Sequence, residues 1–236
     1  MGKTTPFEDT IRLLAQDLLA VDRGADDLVA LLLRSVDGAD VPGAASLDAH
    51  TRRCEDYVRL RKAADDRFAQ AIQEVSETVA REKARFTRRE QPMWGDRLIG
   101  RVSGSWMRRR MRRRATRSAN ADELRLALGR ADRLTGLLLS QREALAAQRN
   151  IAEQALGAFM LQHKRRLEAG AYMPERQRKD ALALARAATV FGQTVDALND
   201  GVRTRSIMLH KLAMEVEHLL QFYAVLVQIG SLAAAK

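Results

Sequence analysis

The chain has 236 residues, a formal net charge of +10, 46% hydrophobic and 30% charged residues, and only 14 glycines and 4 prolines. That balance is the composition of long helices and coiled coils and excludes a disordered chain and a sheet-rich domain; Ala, Leu, Arg, Glu, Gln and Lys, which dominate, are good helix formers. The single cysteine, Cys54, excludes an intramolecular disulfide and predicts a reducing, cytoplasmic setting.

In chain order, Thr5, Pro6 and Glu8 form a capping box, so a first helix is expected over residues 6–22, with Gly24 as its stop. Glu8, Asp9 and Asp17 interrupt the apolar residues here, which is not the order of a secretory signal, and no export is expected. A short helix over 26–36 carries Leu28, Leu31, Leu32 and Val36 on one face, making residues 1–37 an N-terminal helical hairpin. Residues 37–45, with Gly38, Pro42 and Gly43, read as a loop.

Residues 46–89 contain no breaker, and Phe68, Ile72, Val75, Val79 and Phe86 follow at steps of four, three, four and seven, a heptad seam on one long helix. After a cap-like Asn120 and Glu123, a second long helix reaches Glu168. Its apolar stripe is Leu124, Leu128, Ala131, Leu138, Leu145, Ala152, Leu156 and Phe159. Each should be on the order of 65 to 70 Å long. Pro174 opens a further helix to about Leu198, where Asn199, Asp200 and Gly201 either end it or weaken a continuous one. The last helix alternates three and four through Leu209, Leu212, Val216, Leu219, Tyr223 and Leu226. The expected fold is all-α: a single elongated antiparallel bundle of long coiled-coil-like helices over residues 1–236, with a C-terminal helical bundle over 119–236. The uncharged stretch 219–235 falls just short of a membrane span and reads as a buried terminal helix.

Between the two long helices lies a basic Arg/Trp arm, residues 90–118. Over residues 88–117 there are eleven arginines against two acids, Glu90 and Asp96, a net of +9 that leaves +1 for the other 206 residues. Both tryptophans, Trp94 and Trp106, fall here too. Projected on a helix, Leu98, Ile99, Val102, Trp106 and Met107 cover one side of 97–108 and Arg97, Arg101 and Arg108 the other. A basic amphipathic segment with indoles at its polar boundary suits an anionic membrane surface, where each basic residue contributes about 1 kcal/mol. The candidate binding residues are Trp94, Arg97, Arg101, Trp106, Arg108, Arg109, Arg110, Arg112, Arg113, Arg114 and Arg117. The run 108–114 also suits phosphate neutralisation on a nucleic acid, and the heptad seams suit a protein partner or homo-oligomer.

Chemical constellations are sparse. His50 and Cys54 share a helix face without a third metal ligand, and Glu215 with His218 gives one Glu-x-x-His where a di-iron bundle needs two. Ser103 and Ser105 have no base at an inferable distance. No catalytic residue, metal or cofactor is expected. The reading is a non-enzymatic adaptor or scaffold, cytoplasmic and peripheral at the inner face of the membrane.

The second half, residues 120–230, resembles the toxic-anion (tellurite) resistance family. The stretch 137–156 with Arg142 and Arg149, the opening Arg176-Gln177-Arg178, and Asn199 and Val202 ahead of the last apolar helix carry that resemblance. It implies a nearly all-helical fold and a role in tolerance of toxic oxyanions at the membrane, with no enzymatic residue to carry over.

Overall fold

The computed structural model describes residues 6–37, 44–90, 121–169 and 174–234. These residues form four helices and, among the described residues, no strand: α1 (Pro6–Asp37), α2 (Ala44–Glu90), α3 (Ala121–Ala169) and α4 (Glu175–Ala234). The all-α bundle expected from the heptad seams is the observed fold. Contacts divide the described residues into two compact units, Met1–Phe68 with Leu137–Leu209, and Ala69–Gly136 with His210–Lys236.

Two expected breaks are absent. The N-terminal hairpin over 1–37 is instead the single helix α1. Gly24 does not stop it: the buried face continues through Val21, Ala25, Leu28 and Leu32, and a Cβ at Gly24 would only reach ordinary contact with Tyr57 and Leu60. An interior glycine costs about 1 kcal/mol of helix propensity, less than the apolar burial on either side contributes. Likewise Asn199, Asp200 and Gly201 lie inside α4, a continuous helix of 60 residues. Neither position needs left-handed backbone, since no described residue has a positive φ. The long helix expected over 46–89 is α2, two residues longer at its start and one at its end.

Unit 1 is a four-helix bundle whose polar pairs define its topology. α1 and α2 are antiparallel, with Asp17 on Arg67 and Asp27 on Arg53. α1 and α3 run parallel, with Asp22 on Gln141 and Asp26 on Gln148. α2 and α4 are also parallel, with His50 on Thr194 and Asp65 on Arg205. α3 and α4 are antiparallel, with Phe159 on Phe191 and Arg149 on Asn199. The order around the bundle is therefore α1, α2, α4, α3.

Each helix buries a stripe spaced by threes and fours: Leu14, Leu18, Val21, Ala25, Leu28 and Leu32 on α1, and Leu138, Gln141, Leu145, Gln148, Ala152, Ala155 and Phe159 on α3. That spacing keeps one face of each helix on the bundle axis.

Unit 2 buries Ala71, Val75, Val79 and Glu82 from α2, Leu124, Ala127, Ala131 and Leu134 from α3, and Leu212 and Leu219 from α4. On the final stripe Leu209, Val216 and Tyr223 are half-buried, while Leu220 and Val225 nearby are exposed. Among the described residues no helix is long and apolar enough to cross a membrane.

Candidate functional site

The residues expected to bind an anionic surface, Trp94, Arg97, Arg101, Trp106, Arg108, Arg109, Arg110, Arg112, Arg113, Arg114 and Arg117, all lie in 91–120, outside the described residues. What the structure places is the frame around them. α2 ends at Glu90 and α3 begins at Ala121, and both helix ends belong to unit 2.

His50 and Cys54 do share a face of α2, and that face is turned to α4. The His50 ring hydrogen-bonds Thr194 and meets the Phe191 ring edge-on at 4.9 Å. Thr194 donates its only hydroxyl hydrogen to the Val190 carbonyl at 3.2 Å. Burial holds the pKa of His50 below 6.5 and keeps its ring neutral. Cys54 places its thiol 3.7 Å from the Gln193 carbonyl, and burial, then Glu55, pushes that thiol up, away from reactivity. On α4, Glu215 is half-buried and His218 exposed. Among the described residues no group of three or more His, Cys, Asp and Glu side chains converges on a metal position.

The most unusual chemistry is a polar layer across the core of unit 1. Arg205 of α4 is 0% exposed, with its guanidinium 4.8 Å from the Phe68 ring centroid and Nη1 2.8 Å from Asp65 Oδ1. The distance is that of an ion pair, yet the N–H bonds are not aimed along it, and none of the three guanidinium nitrogens makes a hydrogen bond among the described residues. Arg61 donates to the Ala197 carbonyl at 2.7 Å, and Gln141 donates to Asp22 at 2.7 Å. The Tyr57 hydroxyl is buried without a hydrogen-bond partner among the described residues.

Burial raises Asp65 against the opposing pull of Arg205 and Arg61, and raises Asp22 against its bond from Gln141. It also lowers Arg205 and raises Tyr57. Desolvation is thus the leading cause of the shift in each of these groups.

The sequence carried a signal for the layer that periodicity arguments passed over. Arg205 sits on the apolar stripe of α4, seven residues from both Leu198 and Leu212, which are fully buried. A charge on a seam marks a buried polar contact; its partners depend on how the helices pair.

A surface groove of about 500 Å³ runs between α1 and α2, lined by Leu19, Ala20, Gly24, Tyr57 and Leu60, with Arg23, Asp27, Arg53 and Asp56 at its rim. Of the residues carrying the tellurite-resistance resemblance, Arg149 and Asn199 meet at 3.4 Å across α3 and α4, while Arg142, Arg176 and Arg178 are exposed. In comparisons with known proteins, no family model, no curated protein and no solved structure matches the chain.

Proposed function

We propose that the protein is a non-enzymatic helical scaffold that docks peripherally on an anionic membrane, at its cytoplasmic face, through Trp94, Trp106 and the arginines from Arg97 to Arg117. The observation that carries this reading is the charge distribution: residues 88–117 hold +9 of the +10 net charge, together with both tryptophans. Guanidinium groups facing acidic headgroups and indoles at the interface are complementary uses of one amphipathic surface. The flanking helix ends support it: α2 ends at Glu90 and α3 begins at Ala121, both in unit 2, so the basic residues lie in the sequence between two helices of one compact unit. Through the resemblance of residues 120–230, the same reading extends to tolerance of tellurite and related oxyanions.

Co-sedimentation with vesicles tests it. The full chain should pellet with vesicles rich in phosphatidylserine or phosphatidylglycerol and stay in solution with phosphatidylcholine alone, and removal of residues 93–117 should abolish the difference. Equal binding to both vesicles, or binding that survives the deletion, contradicts the proposal. The dense run 108–114 favours nucleic acid as a second reading; a gel shift with a steep salt slope and no vesicle binding would select it.

A further inference from the structure

The apolar stripes of unit 1 repeat too regularly to say how far along one another the helices sit. On α3 the buried positions from Leu138 to Phe159 alternate three and four without interruption, and on α4 Leu184, Ala187, Phe191, Thr194, Leu198 and Arg205 keep the same heptad frame. Sliding one helix by a heptad, about 10.5 Å at 1.5 Å per residue, would lay stripe on stripe again. The spacing of the stripes alone does not choose between those arrangements.

The polar layer does not repeat. In the observed register Asp65 stands beside Arg205, and the missing side chain of Gly201 admits Tyr57 and Arg61. Moving α4 one heptad toward the C-terminus of α2 would carry Arg205 from the level of Asp65 to that of Ile72, stranding a buried cation. Moving it the other way would carry it to the level of Val58, again a heptad away from Asp65. Either slip would also replace Gly201 by Thr194 or Met208 at the place where a Cβ would stand 2.9 Å from the Tyr57 oxygen. On the opposite side of the bundle, Gln141 donates to Asp22 and Gln148 to Asp26.

We infer that the buried layer of Asp22, Tyr57, Arg61, Asp65, Gln141, Gly201 and Arg205 is a register lock, which selects one axial alignment among heptad-related alternatives at the expense of stability. A cluster that is costly for the fold, placed at one level of an otherwise repetitive core, is the arrangement such a device requires. Single buried polar residues select register in coiled coils by the same penalty on wrong pairings.

Native Cys54 supplies the readout, because its sulfur lies 3.7 Å from the Gln193 carbonyl and no other cysteine is present. Three full-length variants, Arg186→Cys, Gln193→Cys and Asp200→Cys, report the observed register and its two heptad neighbours by oxidative cross-linking to Cys54. In the otherwise native chain, Gln193→Cys should cross-link at least about tenfold faster than the other two. Combined with Asp65→Leu and Arg205→Leu, that preference should fall at least about threefold, the close contact of Gly201 with Tyr57 retaining the remainder. The charge-swapped pair, Asp65→Arg with Arg205→Asp, should restore it. A double-leucine chain that keeps the native preference overturns the inference. So does one that loses its helical circular dichroism, because the pair would then hold the bundle together instead of selecting its alignment.

Discussion

Gly201 of α4 lies against Tyr57 of α2 so closely that a Cβ on the glycine would stand 2.9 Å from the Tyr57 hydroxyl oxygen and 3.2 Å from Cδ of Arg61. The glycine is buried inside a continuous helix and has no unusual backbone angle, so its role is to leave space. Tyr57, 1% exposed, fills that space with a hydroxyl that finds no hydrogen-bond partner among the described residues.

Gly201→Ala should therefore lower stability. Alanine gains about 1 kcal/mol of helix propensity, but overpacking against a fixed ring costs about 1 to 3 kcal/mol. Tyr57→Phe removes the obstructing oxygen and should be neutral or mildly stabilising by itself. In the double variant the alanine's helix gain should emerge, so the two changes will not add. Urea denaturation of the four members of this cycle measures the coupling; strict additivity would place the clash elsewhere.

The Asp65 and Arg205 pair should behave asymmetrically. Removing either partner alone, by Asp65→Leu or Arg205→Leu, leaves a buried charge uncompensated and should cost about 3 to 5 kcal/mol. Replacing both should leave stability unchanged or raise it, because burial penalises each charge more than their attraction offsets. Thermal unfolding of the three variants distinguishes this from a pair that stabilises: a double variant as unstable as the singles contradicts it.

The helical class and the buried stripes were legible because side chains three and four apart must share a face, and the stripes of α2 and α3 show that spacing plainly. Phe68, Val75 and Val79 are buried as expected, and Ile72 is half-buried at the edge of the seam. Gly24 and Asn199-Asp200-Gly201 misled because local propensity favours a break there, whereas packing across α1, α2 and α4 keeps both helices continuous. Arg205 was visible as a charge on an apolar stripe, but Asp65, Asp22 and Gln141 become its neighbours only through the pairing of four helices. The basic segment was legible from composition alone, since charge and indoles accumulate there whatever its conformation.

Acid should weaken unit 1 through His50. Burial holds the folded-state pKa below 6.5, so as pH falls through 6.5 the unfolded chain takes up the proton first. The contribution of neutral His50 is complete above that value and is lost as pH falls toward the lowered folded-state pKa. Asp22 and Asp65 act in the opposite sense: their pKa values are raised from 3.8, so the folded chain protonates before the unfolded one, and the cost of their ionised forms is relieved as pH falls toward 3.8. The stability of the native chain minus that of His50→Gln should decline below pH 6.5. A difference independent of pH would mean that His50 is charged, or equally protonated, in both states.

The docking proposal is tested most directly by tryptophan fluorescence, because Trp94 and Trp106 are the only two indoles and both belong to the basic segment. Titrating the full chain with anionic vesicles should shift the emission to shorter wavelength as the indoles enter the interface. The shift should grow with the fraction of acidic lipid, reverse on adding salt, and be absent with neutral vesicles. An emission spectrum that stays unchanged at saturating anionic lipid, or that shifts equally with neutral lipid, contradicts the account.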